Sequence, residues 1–232
     1  MGRCIFLLGK WYLDVFKSPT FSAQFMAFTK APLVGRSQAS VLISMNQTHS
    51  KDVVLIEKTP AGLVAKNSMG DSTPMAQDDH GNGAVIDFLG PQFVVKADAC
   101  ITCERNVLLS VKTADCLPIL LAASGYIAVI HAGRQGTLNG ITRQVCEQLK
   151  QMGGSIPIAW FGPATCLFCY QVDRDTNTYF DLVEDNRSQI MGVFGAEAVI
   201  EYSGACTQCE SNLYYSYRSG DLLSRNVFYL SK

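Results

Sequence analysis

Two apolar runs dominate the chain: Leu117 to Leu121, and Tyr126 to Ile130, the second bounded by Gly125 and Gly133. Runs this short, rich in aliphatic and β-branched side chains and closed by glycine, predict buried strands. Similar patterning predicts strands at Ser40–Ser44, in the second half of Asn46–Ile56, and at Phe93–Lys96, Val107–Lys112, Ile156–Phe161, Ala198–Tyr202, Leu213–Tyr217 and Val227–Leu230. After His131 the period changes. Leu138, Ile141, Val145, Leu149 and Met152 follow steps of three and four, which predicts one helical face closed by Gly153-Gly154. Residues 174–194 are expected to be helical in parts. Residues 59–92, rich in Gly, Pro, Ser, Asn and Asp, predict a loop-rich insertion with one short strand near Ala84–Phe88. Residues 1–43 mix aromatic and apolar positions without a clean period. Strands and helices mix without strict alternation, so the expected class is α+β, one domain over 1–232 with mixed β-sheets and packed helices.

Composition narrows the function classes. The chain of 232 residues is 48% hydrophobic and carries 19 basic against 20 acidic side chains, a net charge of −1. With no basic run, nothing favours a nucleic-acid or membrane-surface partner. The apolar stretches fall short of the roughly 20 residues of a membrane helix. Nine cysteines, an odd number without a secretory leader, predict reduced thiols and a cytoplasmic protein.

Candidate chemistry rests on few residues. The sequence holds three histidines, His49, His80 and His131. His131 closes an apolar run at the exit of a predicted strand, where Gly133 is expected to let the backbone turn, and His49 stands among polar residues at a strand entrance. His80 lies in Asp-Asp-His-Gly-Asn-Gly, which reads as turn chemistry, so it is not expected to be a metal ligand. Two histidines and one cysteine suit a catalytic zinc site with an open position, where bound water reaches a pKa of about 7. The same residue types suit a thiolate nucleophile, Cys116, activated by His131. Three Cys-x-x-Cys pairs occur, Cys100/Cys103, Cys166/Cys169 and Cys206/Cys209. The roughly 62 and 36 residues between successive pairs exceed the 15 to 20 of a zinc ribbon, which argues against a shared structural zinc. No Walker or dinucleotide fingerprint is present.

Gln47-Thr48-His49-Ser50, Ala97-Asp98-Ala99, Thr113-Ala114-Asp115-Cys116-Leu117-Pro118, His131-Ala132-Gly133, Gly162-Pro163-Ala164, Cys169-Tyr170-Gln171-Val172, Cys206-Thr207 and Tyr215-Ser216-Tyr217-Arg218 occur in the order found in the YfiH-like laccase-domain, or polyphenol oxidase, family. The chain resembles that family over residues 44–232. The resemblance implies zinc held by His49, Cys116 and His131, one ion per chain, and purine nucleoside phosphorylase activity accompanied by adenosine deaminase activity. It implies purine nucleosides and phosphate as partners. Asp115 and Asp98 become candidates for supporting the metal ligands or for proton transfer, and Arg218, Arg134 and Gln47 candidate substrate contacts. Phenol oxidation with copper, thiol amide hydrolysis including editing of cell-wall precursors, and a degenerate member that only binds metal are the alternatives. The sequence departs from the family pattern at Arg134-Gln135, where Trp-Arg is usual, and at Gln171, where Glu is usual. A multicopper oxidase needs roughly ten histidines for its copper centres. Three cannot supply them.

Overall fold

The computed structural model describes the backbone of residues 5–7, 10–18 and 21–28, and residues 40–77, 90–123, 125–154 and 157–232 with their side chains. The strands are β1 (Ile5–Leu7), β2 (Lys10–Ser18), β3 (Phe21–Phe28), β4 (Val41–Asn46), β5 (Val53–Thr59), β6 (Gly62–Asn67), β7 (Ser72–Thr73), β8 (Met75–Gln77), β9 (Gln92–Lys96), β10 (Ala99–Thr102), β11 (Val107–Thr113), β12 (Leu117–Ala123) and β13 (Tyr126–Ala132). Helices α1 (Arg134–Leu138) and α2 (Ile141–Gln151) follow, then β14 (Ile158–Phe161), β15 (Gln171–Asp173), β16 (Thr178–Tyr179), α3 (Leu182–Phe194), β17 (Val199–Tyr202) and β18 (Asn226–Ser231). Among the described residues no helix is long and apolar enough to cross a membrane.

Two mixed eight-stranded sheets carry the fold. One runs β1-β2-β3-β18-β11-β4-β9-β8, the other β17-β14-β12-β13-β10-β5-β6-β7. β4 lies parallel to both β9 and β11, while β12 lies antiparallel to both β13 and β14. Period-2 alternation splits each central strand between two cores. Val129 and Leu120 face the first sheet, against Ile43, Val111 and Phe228. Ile130, Ile119 and Leu121 face the other way, against Ile141, Val145 and Leu149 of α2 and Ile190 of α3. Burial on both faces is why β12 and β13 read as unbroken apolar runs. The layers are therefore sheet, sheet and helices, an α+β arrangement of mixed sheets.

The expected single helical face is interrupted. Gly140 stands at φ 78° before α2 and Leu138 is 60% exposed, so α1 and α2 are separate helices and Leu138 is not a core position. At the other end Gly154 N–H donates to Leu149 O and Gly153 N–H to Lys150 O, with Gly153 at φ 82°, so the glycine pair terminates α2 as its sequence predicts. The loop-rich reading of 59–92 also needs correction: β6 pairs antiparallel with β5, and β8 with β9. The strand expected at Ala84–Phe88, and His80, lie outside the described residues. Leu213–Tyr217 is a set of turns. There the Asn226 side chain accepts from Tyr215 N–H and donates to Tyr215 O, taking the place of a neighbouring strand.

α1, which brings Arg134 to the site, is held by a buried amide network. Asn186 accepts from Thr142 Oγ1 at 2.6 Å and donates to Thr137 Oγ1 and Leu182 O, and Gln189 donates to Thr137 O while accepting from Arg143 N–H. Asn186→Ala leaves the Thr142 and Thr137 hydroxyls without these partners in a closed interior, which costs about 2–3 kcal/mol. A urea titration should show a correspondingly lower midpoint at unchanged slope; an unchanged midpoint contradicts this role.

Candidate metal centre and substrate cleft

His49, Cys116 and His131 come from three separate places in the chain: the turn after β4, the start of β12 and the end of β13. Their ligating atoms lie within 4.8 Å of one another, and the two imidazoles meet edge to face with centroids 4.7 Å apart. Asp98, fully buried between β9 and β10, sets both histidines. Its Oδ1 accepts from His131 Nδ1 at 2.7 Å and from His49 N–H at 3.0 Å, and its Oδ2 accepts from Thr48 N–H, Ser50 N–H and Ser50 Oγ. A carboxylate can only accept, so Nδ1 of His131 carries a proton and Nε2 is left to face Cys116. The backbone repeats the link, because His131 N–H donates to Asp98 O at 2.8 Å.

Charge follows from this packing. Burial disfavours the Asp98 carboxylate, yet the hydrogen bonds from His131 and Ser50 hold it well below the usual carboxylate range. Burial also works against the Cys116 thiolate, but the His131 charge and hydrogen bonds from both imidazoles pull the thiol down to about 6. Burial likewise opposes the His131 imidazolium, while the Cys116 charge and the Asp98 hydrogen bond push it up to about 9. The centre thus favours a thiolate, the form in which cysteine binds metal.

Gly133 closes the triad for a different reason than its sequence position suggests. Its φ of −79° and ψ of 169° are ordinary extended values, so no special turn requires glycine. Space does. A Cβ at this position would stand 2.9 Å from His49 Cδ2 and 3.0 Å from Cys116 Sγ. His49 (φ 60°) and Asp115 (φ 91°) occupy the left-handed region that non-glycine residues seldom adopt, and both sit at the centre.

The triad lies at one side of a cleft of about 1580 Å³. Lys112, Arg134, Arg218 and Arg225 line it together with Tyr170, Tyr215 and Tyr217. Asp115, the one acid lining it among the described residues, is already engaged: Oδ1 accepts from Thr207 Oγ1 at 2.7 Å and Oδ2 from Arg218 N–H at 2.8 Å. Asp115 and Asp98 are therefore placed as positioning groups, not as free proton shuttles. Gln47 is placed similarly, since its amide donates to Lys112 O and accepts from Lys112 N–H and so ties the end of β4 to β11. The Arg218 guanidinium stacks on the Tyr170 ring at 4.5 Å and donates to Gln171 O. Burial, then the nearby Cys116 charge, push the Tyr170 phenol up.

A family model described as multi-copper polyphenol oxidoreductase laccase matches residues 28–225. The chain belongs to this laccase family. A purine nucleoside phosphorylase of Streptomyces coelicolor, SCO2081, is 38% identical to this laccase-family chain over 106 residues, 44% of each protein. Geobacillus stearothermophilus YlmD, likewise named a purine nucleoside phosphorylase, is 31% identical over 175 residues, 64% of this chain and 63% of that one. RL5, an adenosine deaminase from an unknown prokaryotic organism, is 28% identical over 157 residues, 56% of this chain and 60% of its own length. The matched stretches thus span roughly half the length of these relatives. In fold the agreement is broader. The crystal structure of G. stearothermophilus YlmD superposes with a TM-score of 0.68 over 95% of this chain and 96% of that one at 22% identity, and Bacillus licheniformis YfiH with 0.67 over the same shares at 20%.

Two features of this laccase-family site escaped sequence reasoning. Tyr170, Lys112 and Arg225 line the cleft, and only Tyr170, inside a family motif, carried a signal. Cys166, Cys169, Cys206 and Cys209, too far apart in sequence for a zinc ribbon, are gathered so that their sulfurs lie within 4.8 Å of one another. The third pair is apart from this cluster: Cys100 is buried in the core between the sheets, and Cys103 lies at the exit of β10.

Partners that orient a metal-binding histidine are commonly worth 10- to 100-fold in metal affinity. Asp98→Asn, whose NH₂ must face donors, should weaken zinc binding by about that factor in a competition titration, and Gly133→Ala should do so by displacing His49 or Cys116. Unaltered affinity in both variants contradicts this arrangement of the centre.

Proposed function

We propose that this laccase-family chain is a zinc-dependent purine nucleoside phosphorylase that also deaminates adenosine. One observation carries the reading: a His-Cys-His donor set stands beside a cleft lined by Lys112, Arg134, Arg218 and Arg225 and by tyrosines. His49, His131 and Cys116 would hold the metal, and the borderline-soft N₂S set with room on the cleft side suits zinc. When bound, the ion supplies a Lewis acid for a water or a substrate oxygen. The chain's own residues account for the rest. Arg218, braced on Tyr170, offers a planar fork for phosphate. Tyr170 keeps its proton at neutral pH and offers an O–H to the phosphate or to the leaving purine. Tyr215 and Tyr217 offer apolar faces to the base. In phosphorolysis a phosphate oxygen bonds to C1′ as the bond from C1′ to the purine nitrogen breaks, and the base leaves protonated. Arg134-Gln135, where the family pattern has Trp-Arg, moves or removes one cationic group beside the metal, so phosphorolysis is slow and needs high phosphate. A reducing cytoplasm suits the thiolate ligand.

Cys116, His131 and Asp98 also form a nucleophile, base and orienter in sequence, which favours the thiol amide hydrolase as the second reading. The presence of His49 speaks for the metal, because a thiol nucleophile needs no second imidazole. Chelation separates the two. Activity that falls with a chelator and returns with added zinc supports the phosphorylase; full activity in zinc-free protein supports the hydrolase.

Hypoxanthine and adenine release from inosine and adenosine should depend on phosphate, and adenosine should yield inosine without it. Arg218→Ala should raise the KM for phosphate roughly ten- to a hundredfold, the worth of a charge-assisted contact of about 1.5–3 kcal/mol. Base release indifferent to phosphate, or no turnover of any purine nucleoside by zinc-loaded protein, overturns the assignment.

A further inference from the structure

Cys166, Cys169, Cys206 and Cys209 lie apart from the His-Cys-His centre, on the far side of Asp115. The two Cys-x-x-Cys segments are set side by side by one parallel bridge, Ala164 to Cys206, in which Ala164 N–H donates to Ala205 O and Thr207 N–H to Ala164 O. Each pair then closes a turn: Cys169 N–H donates to Cys166 O at 3.0 Å and Glu210 N–H to Cys206 O at 2.9 Å. Both turns point their sulfurs to one place. Cys169 Sγ and Cys209 Sγ stand 3.4 Å apart, and all four sulfurs fall within 4.8 Å of one another. Four thiolates each about 2.3 Å from a tetrahedral zinc would stand about 3.8 Å apart. Backbone amides already aim at the cluster, with Cys166 N–H and Cys209 N–H donating to Cys206 Sγ at 3.3 and 3.4 Å. Such donors offset negative charge on a ligating sulfur.

We propose that these four cysteines bind a second, structural zinc ion in a closed tetrahedral S₄ site. The ion ties together two segments some 36 residues apart in sequence, and each segment touches the substrate site. Thr165 N–H donates to Asp115 O at 2.9 Å and Thr207 Oγ1 donates to Asp115 Oδ1, so residues of both turns grip the neighbour of Cys116. Tyr170 directly follows Cys169 and stacks on Arg218. The zinc therefore braces the wall of the cleft without entering it, which a closed four-thiolate shell requires.

The test uses full-length protein purified under reducing conditions with zinc present. Elemental analysis should find two zinc ions per chain; Cys169→Ser/Cys209→Ser should retain one and Cys116→Ser should retain the other. The cobalt-substituted Cys116→Ser protein, which keeps only this site, should show the intense near-ultraviolet thiolate-to-cobalt absorption of an S₄ shell. Cys209→His, which keeps a tetrahedral donor set, should hold the ion where Cys209→Ser loses it. Should the serine variants fail to fold, titrating wild-type protein with a mercurial should release zinc in step with modification of these four thiols. Zinc content in Cys169→Ser/Cys209→Ser equal to wild type, at most one ion in wild type that Cys116→Ser abolishes, disulfides among the four cysteines, or an iron cluster in the purified protein would each overturn the proposal.

Discussion

The buried carboxylate of Asp98 is the contact on which the site depends. It has no exposure to water and takes hydrogen bonds from the backbone of Thr48, His49 and Ser50, from the Ser50 hydroxyl and from the His131 ring. Burying an ionised group is costly unless its lone pairs are filled, and here they are filled by the groups that must be fixed. One charge thus sets the turn after β4, the tautomer of His131 and the approach of His49. The left-handed conformation of His49 persists because three consecutive amides converge on the same carboxylate.

Asp115 does the equivalent work for the opposite wall. Its side chain receives Thr207 from one segment and the Arg218 backbone from another, while its own carbonyl receives Thr165. The result is a cleft whose one lining acid among the described residues is spent on positioning, while Lys112, Arg134, Arg218 and Arg225 line the rest. That division explains how a protein of net charge −1 presents a cationic pocket. Global charge gave no reason to expect an extended nucleic-acid surface but carried no information about the local charge of the cleft.

Sequence pattern reveals the central strands because β12 and β13 are buried on both faces and leave no competing period. The order of its motifs, which matches the laccase family, points to His49, Cys116 and His131 as residues of one centre. Sequence pattern fails where the partner is distant or the backbone departs from regular structure. The single helix predicted through Leu138 ignores the left-handed Gly140. The aromatic alternation at Leu213–Tyr217 resembles a strand, yet a side chain, Asn226, satisfies its backbone instead of a ladder. The four-cysteine cluster depends on the Ala164–Cys206 bridge, a contact across about 40 residues that no local spacing rule registers. Gly133 was visible as a glycine, but the reason for it, room for two side chains, exists only in three dimensions.

The central claim is that His49, Cys116 and His131 form one metal centre oriented by Asp98. A crystal of protein grown with zinc and measured on both sides of the zinc absorption edge tests it most directly. The account predicts an anomalous peak bonded to Cys116 Sγ, His131 Nε2 and a ring nitrogen of His49, with Asp98 still on His131 Nδ1. Zinc present in the crystal but no peak among these three side chains would contradict it.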